Sequence, residues 1–488
     1  MKVLLRGVRI VTVTHPASSA EPVDVRMENG EVTAVGHLTP EPAERVIAAD
    51  GRWLIPGLWD QHVHLRQWAQ ARLRLDLSGT TGPGEVIARV RAHLAGRPTV
   101  VVGAGFRSAT WSVQPTTAAL DAVSGDVPTV LISGDVHAGW LNSAAQRWLG
   151  VTARPGVLDE SEWFALVPRL EELLATDLDQ AYRLAVDDAA ARGVVGLVDM
   201  EFEAGFRAWP GRFAAGIDAV RVRTATYADG LEDVIAAGLR TGSVLEPRGL
   251  LTMGPLKIIS DGSLNSRTAR CCEPYADGRY GTQNYPLEEL VRLLGRAASR
   301  LDVALHAIGD AALTTALDAF EATGARGGVE HVQLAHFEEF ARMARLGLRA
   351  SVQPAHLLDD RAVTAQVWPD RADRCFAFRS MLDAGVPLAL GSDAPVSPLD
   401  PWLAMAAAVH RSADAAPPWN PGEAITVAET LAASVDGQPT VGVGSRADLA
   451  LLDADPLPRG DSAAVAASLR AMRVAATFVG GRPTHLAV

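Results

Sequence analysis

The two ends of the chain carry short apolar runs of the kind that forms β-strands. Near the N-terminus two of these runs are separated by Asn29-Gly30, a dipeptide that strongly favours a two-residue hairpin turn. The runs cover residues 3–13, 23–27, 31–35, 447–452 and 475–483. We therefore predict one small β-domain built from both termini, residues 1–54 together with residues 436–488.

Between these ends, short apolar runs alternate with segments of helix-forming residues. The first run covers residues 55–64, and seven more follow at residues 194–199, 220–226, 251–260, 303–306, 328–331, 348–353 and 387–393. Alternation of strand and helix is typical of a parallel sheet with crossover helices. Eight strands in this rhythm predict an α/β fold, a TIM (β/α)8 barrel over residues 55–435.

One long segment interrupts the rhythm after the first barrel strand. Residues 99–106 and 129–135 are rich in β-forming residues, and residues 163–192 are mostly helix-forming. We predict that residues 66–185 form an insertion over the barrel mouth, a position from which loops often build a substrate pocket.

Composition and charge narrow the classes of function. Hydrophobic residues make up 48% of the 488 and charged residues 21%, so we expect a globular chain throughout. The net charge of -12 argues against nucleic acid and anionic membrane as partners, because no basic stripe is present to neutralise phosphates. The N-terminus lacks the features of a signal peptide, and no long apolar segment follows, which together indicate a soluble cytoplasmic protein. The odd number of cysteines, 3, indicates reduced thiols.

Metal-binding residue types occur at the ends of the predicted barrel strands. His62 and His64 are two positions apart, so on a strand their side chains point to the same face. An isolated pair of this kind is as readily a chance occurrence. Other strand ends, however, carry Lys257, His306, His331 and Asp393. Because TIM barrels hold their chemistry at the C-terminal ends of the strands, we predict that these six side chains form a metal site.

Lys257 is an unusual residue for an apolar strand, because a buried ammonium without a partner is costly. Three solutions are open. The amine is uncharged with a depressed pKa, or it reacts with carbon dioxide to give a carbamate that bridges two cations, or it pairs with a carboxylate such as Asp261.

Six stretches of the chain carry a resemblance to a known family. They are residues 56–64 (PGLWDQHVH), 257–269 (KIISDGSLNSRTA), 305–310 (LHAIGD), 329–333 (VEHVQ), 350–356 (ASVQPAH) and 390–396 (LGSDAPV). Over nearly its whole length the chain is similar to the metal-dependent amidohydrolase superfamily, in the branch that resembles N-substituted formamide deformylase (amidohydrolase family 3). The resemblance implies a distorted (β/α)8 barrel and a β-sandwich made from both termini. Asn265 stands where the branch usually has glycine, which leaves the substrate open.

The resemblance also implies a centre with two divalent metal ions. Its ligands would be His62, His64 and Asp393 for the more buried ion, His306 and His331 for the outer ion, and carbamylated Lys257 as the bridge. Zinc is the usual metal, although these ligand types also admit manganese, iron or cobalt. The two charges would lower the pKa of a bridging water toward about 7, and Asp393 would serve as the base that passes a proton to the departing amine.

Five further residues are candidates for substrate contact: His137, Trp140, Asp261, Arg267 and His356. The first two lie in a polar and aromatic loop of the insertion, where a structural role is equally open. His356 follows the seventh barrel strand and is predicted to face the site. Asp261 and Arg267 follow the fourth strand and either bind substrate or brace their loop. His137, Arg267 and His356 are also the candidate donors to an oxyanion.

The preferred hypothesis is hydrolysis of a carbon–nitrogen bond in a small-molecule amide, either a linear N-formyl or N-acyl amine or a cyclic amide. The same centre would serve an ester, a lactone or the deamination of a ring. A third alternative is a non-catalytic metal-stabilised binding protein, for which Asp393→Asn would leave every assay unchanged. The sequence leaves the substrate, the metal and the formation of a homo-oligomer open.

Overall fold

The centre of the molecule is a parallel sheet of eight strands. The computed structural model describes residues 2–13, 17–19, 21–173, 178–413 and 416–488. The eight strands are β1 (Leu58–Val63), β2 (Val194–Asp199), β3 (Arg221–Thr226), β4 (Leu251–Ile259), β5 (Val303–Ala307), β6 (Gly327–His331), β7 (Arg349–Val352) and β8 (Leu388–Leu390). Each pairs in parallel with the next.

The sheet closes on itself where β8 returns to β1. The amide of Asp393 donates a hydrogen bond of 2.7 Å to the carbonyl of His62, and Val63 forms a parallel bridge with Ala394. Gly391 makes this approach possible, because a Cβ at that position would lie 2.7 Å from the amide nitrogen of His62. The closed ring of eight strands confirms the predicted (β/α)8 barrel.

Helices follow the strands and cover the outside of the barrel. After β2 to β8 they are Gly205–Ala214, Leu231–Ala236, Leu287–Ala297, Asp310–Thr323, Glu338–Arg345, His356–Val367, Phe378–Asp383, Pro401–His410 and Val427–Ala432. Helix Leu287–Ala297 shows why they form: it buries Leu290, Leu293, Leu294 and Ala297, an apolar stripe at helical spacing, while its other positions face water. None of the helices in the described ranges combines the length and hydropathy that a bilayer crossing requires.

Both termini contribute to a second sheet of nine strands. The strands are Lys2–Thr12, Ala17–Ser18, Val23–Glu28, Glu31–Gly36, Arg45–Ala48, Trp53–Pro56, Leu449–Leu452, Val474–Val479 and Arg482–Leu486. Trp53–Pro56 pairs with Leu449–Leu452, which joins the two ends of the chain. At the predicted hairpin Asn29 and Gly30 have φ of 53° and 86°, as a primed turn requires. The predicted small β-domain from both termini is therefore confirmed as part of the fold, while its exact boundaries stay a prediction.

The segment between β1 and β2 forms a folded layer beside the barrel mouth. Its strands Leu75–Asp76, Val101–Phe106, Thr129–Ser133, Ala138–Leu141 and Leu158–Asp159 make a five-stranded sheet. Its helices are Leu65–Ala71, Pro83–Leu94, Thr117–Ser124, Ser143–Leu149, Glu160–Phe164 and Val167–Leu173. Helix Leu178–Ala191, whose first half falls within the predicted insertion 66–185, packs instead on the apolar residues of β1 and β2 and so belongs to the barrel.

Candidate metal centre

The six residues predicted to bind metal all lie at the mouth of the barrel. They are placed there by β1, β4, β5, β6 and the loop after β8: His62, His64, Lys257, His306, His331 and Asp393. The Nε2 atoms of His62 and His64 lie 3.4 and 3.5 Å from Oδ1 of Asp393. The Nζ atom of Lys257 lies 3.1 Å from Nε2 of His62. Four side chains, from the ends of the first, fourth and eighth barrel strands, thus meet at one point.

The other two histidines belong to the same cluster. The ring centroids of His306 and His331 are 4.6 Å apart, and those of His331 and His62 are 5.1 Å apart. One ligand atom from each of His62, His331 and Asp393 lies within 4.8 Å of the other two. The structure therefore brings together all six side chains that the sequence singled out, and we name them the barrel-mouth cluster.

The backbone is strained at two of these positions. His331 has φ of 73°, and the residue after it, Val332, has φ of 46°. A left-handed conformation at a β-branched residue is rare and costs about 1–3 kcal/mol. Asp393 is also left-handed, with φ of 56°. Hydrogen bonds to neighbouring strands hold these conformations at the ends of β6 and β8. The amide of Val332 donates to the carbonyl of Ala307, and the amide of Asp393 donates to the carbonyl of His62.

Two side chains that the sequence analysis missed orient the imidazoles of the cluster. Nδ1 of His62 lies 2.7 Å from Oε2 of the buried Glu330, and Nδ1 of His331 lies 2.7 Å from Oε1 of Gln353. Because each acceptor fixes the proton on Nδ1, Nε2 is left as the ligand atom. A charged residue inside a buried strand, next to a histidine, was the signal for Glu330.

Of the two roles that the sequence suggested for Asp261, substrate binding and bracing of its loop, the contacts of this residue support the second. Its carboxylate accepts backbone hydrogen bonds of 2.9–3.1 Å from Arg270, Ile308 and Gly309, and its Oδ1 lies 3.2 Å from Nε2 of His306. It therefore braces its loop and orients His306, whose Nδ1 remains for the cluster. It is not the ion-pair partner of the buried lysine.

Burial controls the charge of the barrel-mouth cluster. It lowers the pKa of His62 and of His331 well below the usual range, and that of His64 to about 3, with repulsion from neighbouring basic groups adding to the effect. Burial also lowers the pKa of the Lys257 amine, and it raises the pKa of Asp393 to about 7, against the attraction of that lysine. The imidazoles of His62, His64 and His331 are thus held neutral, the form in which histidine binds a metal.

The donor set fits a divalent cation. Neutral imidazoles with one carboxylate are typical ligands of zinc and similar metals. Three buried atoms around the cluster have no hydrogen-bond partner within the described part of the chain: His64 Nδ1, Glu330 Oε1 and His356 Nε2. Since buried polar atoms are nearly always satisfied, these orphans indicate a site that is completed by a ligand.

A cavity of about 790 Å³ opens above the cluster. Three of the five predicted substrate contacts, His137, Asp261 and His356, line it. An aromatic wall that was not predicted faces them: Phe202 stacks between His64 and Tyr227, with ring centroids 5.7 and 4.8 Å away. The volume is within the range of sites for small molecules.

Two of the predicted contacts, Trp140 and Arg267, do not line this cavity. Trp140 is fully buried in the apolar core of the insertion and donates its indole N–H to the carbonyl of Thr116, so it does not reach the cavity. Arg267 is exposed and lines a separate cavity of about 450 Å³ beside the first. Spacing along the chain does not reveal the path of a loop, so the sequence could not place either residue relative to the cavity, and the role of Arg267 stays a prediction.

Comparison with known proteins places the whole arrangement in a family. The sequence profile of the amidohydrolase family matches residues 45–485. The chain belongs to the amidohydrolase family. Membership confirms the resemblance seen in the sequence, and with it a metal-dependent hydrolase that acts on carbon–nitrogen bonds.

Individual relatives of this amidohydrolase cover almost its full length. It is 27% identical to N-substituted formamide deformylase of Arthrobacter pascens, over 99% of this chain and 97% of the relative. It is 26% identical to YtcJ of Bacillus subtilis (strain 168), named as an amidohydrolase, over 93% of this chain and 95% of the relative. The crystal structure of a metal-dependent hydrolase from Pyrococcus horikoshii OT3 shares the fold, with a TM-score of 0.78, 24% identity, and coverage of 94% of this chain and 99% of that one.

Proposed function

We propose that this amidohydrolase cleaves the carbon–nitrogen bond of a small-molecule amide, and that the substrate is an N-formyl or N-acyl amine or a cyclic amide. The observation that supports the proposal best is the meeting of His62, His331 and Asp393 at the floor of a substrate-sized cavity. A relative named N-substituted formamide deformylase favours the linear amide.

The centre that we propose holds two divalent ions, with zinc as the metal. His62, His64 and Asp393 would hold the more buried ion, and His306 and His331 the outer one. Zinc suits a set of imidazoles with few carboxylates. When bound, the ions would supply acidity to a water molecule and positive charge to the acyl oxygen of the substrate.

The bridging ligand that we propose is Lys257 in its carboxylated form. Its Nζ lies among neutral imidazoles, 3.1 Å from Nε2 of His62, where an ammonium would repel any bound cation. Reaction of the free amine with carbon dioxide forms an N–C bond and releases one proton, which gives an anionic carbamate. The product has the charge and the two oxygen atoms that a ligand between two cations needs.

Asp393 is the proposed proton carrier. In hydrolysis a water oxygen bonds to the acyl carbon, the carbon–nitrogen bond breaks, and the amine nitrogen gains a proton. The carboxylate of Asp393 faces both His62 and His64 within 3.5 Å and borders the cavity, so it can take the proton from the attacking water and return it to the nitrogen. The buried position of Asp393 excludes bulk water from that transfer.

The proposal is tested by assaying zinc-loaded protein against matched sets of N-formyl amines, N-acyl amines, cyclic amides, esters and lactones. We expect hydrolysis of one amide class and its loss in Asp393→Asn. Asp126→Asn is the control, because that carboxylate is fully exposed and does not line the cavity. Turnover of esters alone would refute the proposed bond, and equal rates for Asp393→Asn would refute the centre.

A further inference from the structure

His137 occupies a distinctive place in the insertion. It lies in the turn between strands Thr129–Ser133 and Ala138–Leu141, and Asp135 holds that turn by accepting hydrogen bonds from the hydroxyl of Ser133 and the amide of His137. The imidazole borders both the main cavity and the neighbouring one. A histidine is thus held by a braced turn opposite the barrel-mouth cluster.

Glu160 fixes the orientation of this ring. Nδ1 of His137 lies 3.2 and 3.3 Å from the two carboxylate oxygens of Glu160, and the ring of Phe164 packs against it at 5.2 Å between centroids. Nδ1 therefore carries a proton and donates a hydrogen bond to the carboxylate. Nε2 has no hydrogen-bond partner among the residues that the structure describes, and it is available to a molecule in the cavity.

The same carboxylate connects the insertion to the barrel. Oε1 of Glu160 accepts a hydrogen bond of 3.1 Å from the hydroxyl of Thr268, in the loop that follows β4. That loop begins with Asp261, which orients His306 of the cluster. Glu160 thereby fixes the position of His137 relative to the cluster, rather than only within the insertion.

We propose that His137 donates a hydrogen bond from Nε2 to the acyl oxygen of the substrate as the carbon–nitrogen bond is attacked, and that Glu160 is its positioning residue. This inference rests on the proposed amide hydrolysis. Because Glu160 keeps the proton on Nδ1, Nε2 donates only when the ring is an imidazolium. A donor aimed at the oxygen that gains negative charge is among the strongest contributions a side chain makes to catalysis.

The charges that face His137 favour this protonated form. Burial lowers its pKa, but the hydrogen bond to Glu160 and attraction from Asp135 and Asp393 together raise it above the usual value. His64 also lines the cavity, but burial keeps its imidazole neutral, so it does not oppose the charge on His137. The imidazolium form of His137 is therefore present at low pH and is lost as the pH rises through the raised pKa of this residue.

The test compares His137→Gln, Glu160→Gln and His137→Arg as zinc-loaded proteins on the amide that the wild type hydrolyses best, measuring kcat and KM from pH 6 to 10. We expect His137→Gln to lose roughly 10²-fold in kcat with little change in KM. Glu160→Gln should shift the alkaline limb of the profile to lower pH. His137→Arg, a donor that never deprotonates, should recover part of the rate and remove that limb.

Two controls separate the possible outcomes. His93→Gln changes an exposed histidine on helix Pro83–Leu94 of the same insertion and should match the wild type. The zinc content of every variant should equal that of the wild type. If the wild type is active but His137→Gln keeps its kcat and pH profile, or loses zinc, the assignment of His137 is overturned and the proposed function stands. If the wild type hydrolyses no amide, both are overturned.

Discussion

Among the residues that the structure describes, two clusters bring three metal-type side chains together, and they differ in charge balance. At the barrel mouth they are His62, His331 and Asp393. In the second cluster, which we name the outer cluster, they are Cys272, Asp310 and His336, from the segments that follow β4, β5 and β6. The second cluster already contains a cation. Nη1 of Arg374 lies 3.1 Å from Oδ2 of Asp310 and 2.9 Å from Nδ1 of His336.

Both oxygens of the Asp310 carboxylate in the outer cluster already accept hydrogen bonds. Its other oxygen, Oδ1 of Asp310, accepts backbone hydrogen bonds of 2.8 and 3.0 Å from Cys272 and Ala311. Cys272 is exposed, and the side chain of His336 is 38% exposed, whereas the side chains of His62 and Asp393 are 1% and 11% exposed and His331 is buried. Donor types at short distance therefore do not define a metal site. What matters is whether their charges and lone pairs are already satisfied.

The largest difference between the two clusters should appear in activity. Asp393→Asn removes the proposed proton carrier, and we expect the rate of amide hydrolysis to fall by about 10²–10⁴-fold. The matched change in the outer cluster, His336→Gln, should leave the rate unchanged. Steady-state assays of both variants check this, and a comparable loss in His336→Gln would break the comparison.

The next effect concerns metal affinity. Glu330→Gln keeps the shape of the side chain but removes the charge that orients His62, and we expect zinc to bind about 10–100-fold more weakly. Competition with a chelator measures the affinity. Glu338→Gln, an exposed glutamate on helix Glu338–Arg345, is the control and should bind zinc as the wild type does. Equal affinities for the two variants would show that the hydrogen bond to His62 does not matter.

A third change should make the outer cluster more like the barrel mouth. Arg374→Gln removes the cation beside the buried carboxylate of Asp310, and we expect the free energy of unfolding to fall by about 1–3 kcal/mol. The freed donors should then accept one additional zinc ion. Denaturant unfolding with and without zinc tests both expectations. If the free energy of unfolding and the number of bound zinc ions were both unchanged, Arg374 would not be the reason that the outer cluster binds no metal.

The last effect concerns stability alone and is a pH dependence at Asp360, which borders the main cavity and accepts a hydrogen bond of 2.8 Å from Nε2 of Gln333. Burial raises the pKa of Asp360 from 3.8 to about 7, although Arg107 opposes the shift. The folded state therefore prefers the protonated acid, and this stabilisation is lost as the pH rises from about 4 to about 7.

Asp360→Asn removes that dependence. Relative to the wild type, we expect the variant to gain roughly 1–4 kcal/mol in free energy of unfolding between pH 4 and pH 8. Unfolding of the metal-free proteins at several pH values measures the gain. If the free energy of unfolding of the wild type and that of the variant changed equally with pH, the expected gain would be contradicted.

Most of the fold was predictable from the sequence because it depends on local patterns. Several barrel strands, such as Val194–Asp199 and Leu251–Ile259, are largely apolar runs, since parallel strands in a barrel are buried on both faces. The Asn29-Gly30 turn follows from backbone conformation alone. The positions of the predicted ligands followed from the same patterns, because the ends of parallel strands meet at one edge. Their placement in one cluster is what the structure adds.

The rest depends on contacts between distant parts of the chain, which no local pattern contains. The pairs Glu330 with His62 and Glu160 with Thr268 join residues far apart in sequence. Trp140 was misplaced for the same reason: whether an aromatic residue of an insertion faces a cavity or a core depends on how the insertion folds. The Asp310 and Arg374 pair, which separates the two clusters, was equally invisible.

The most direct test is an anomalous difference map, recorded at the zinc absorption edge from crystals of zinc-loaded protein. We expect two peaks at the barrel mouth, one beside His62, His64 and Asp393 and one beside His306 and His331, with continuous density between them extending from Lys257. A peak between Cys272, Asp310 and His336, with no peak at the barrel mouth, would contradict the assignment of the metal centre.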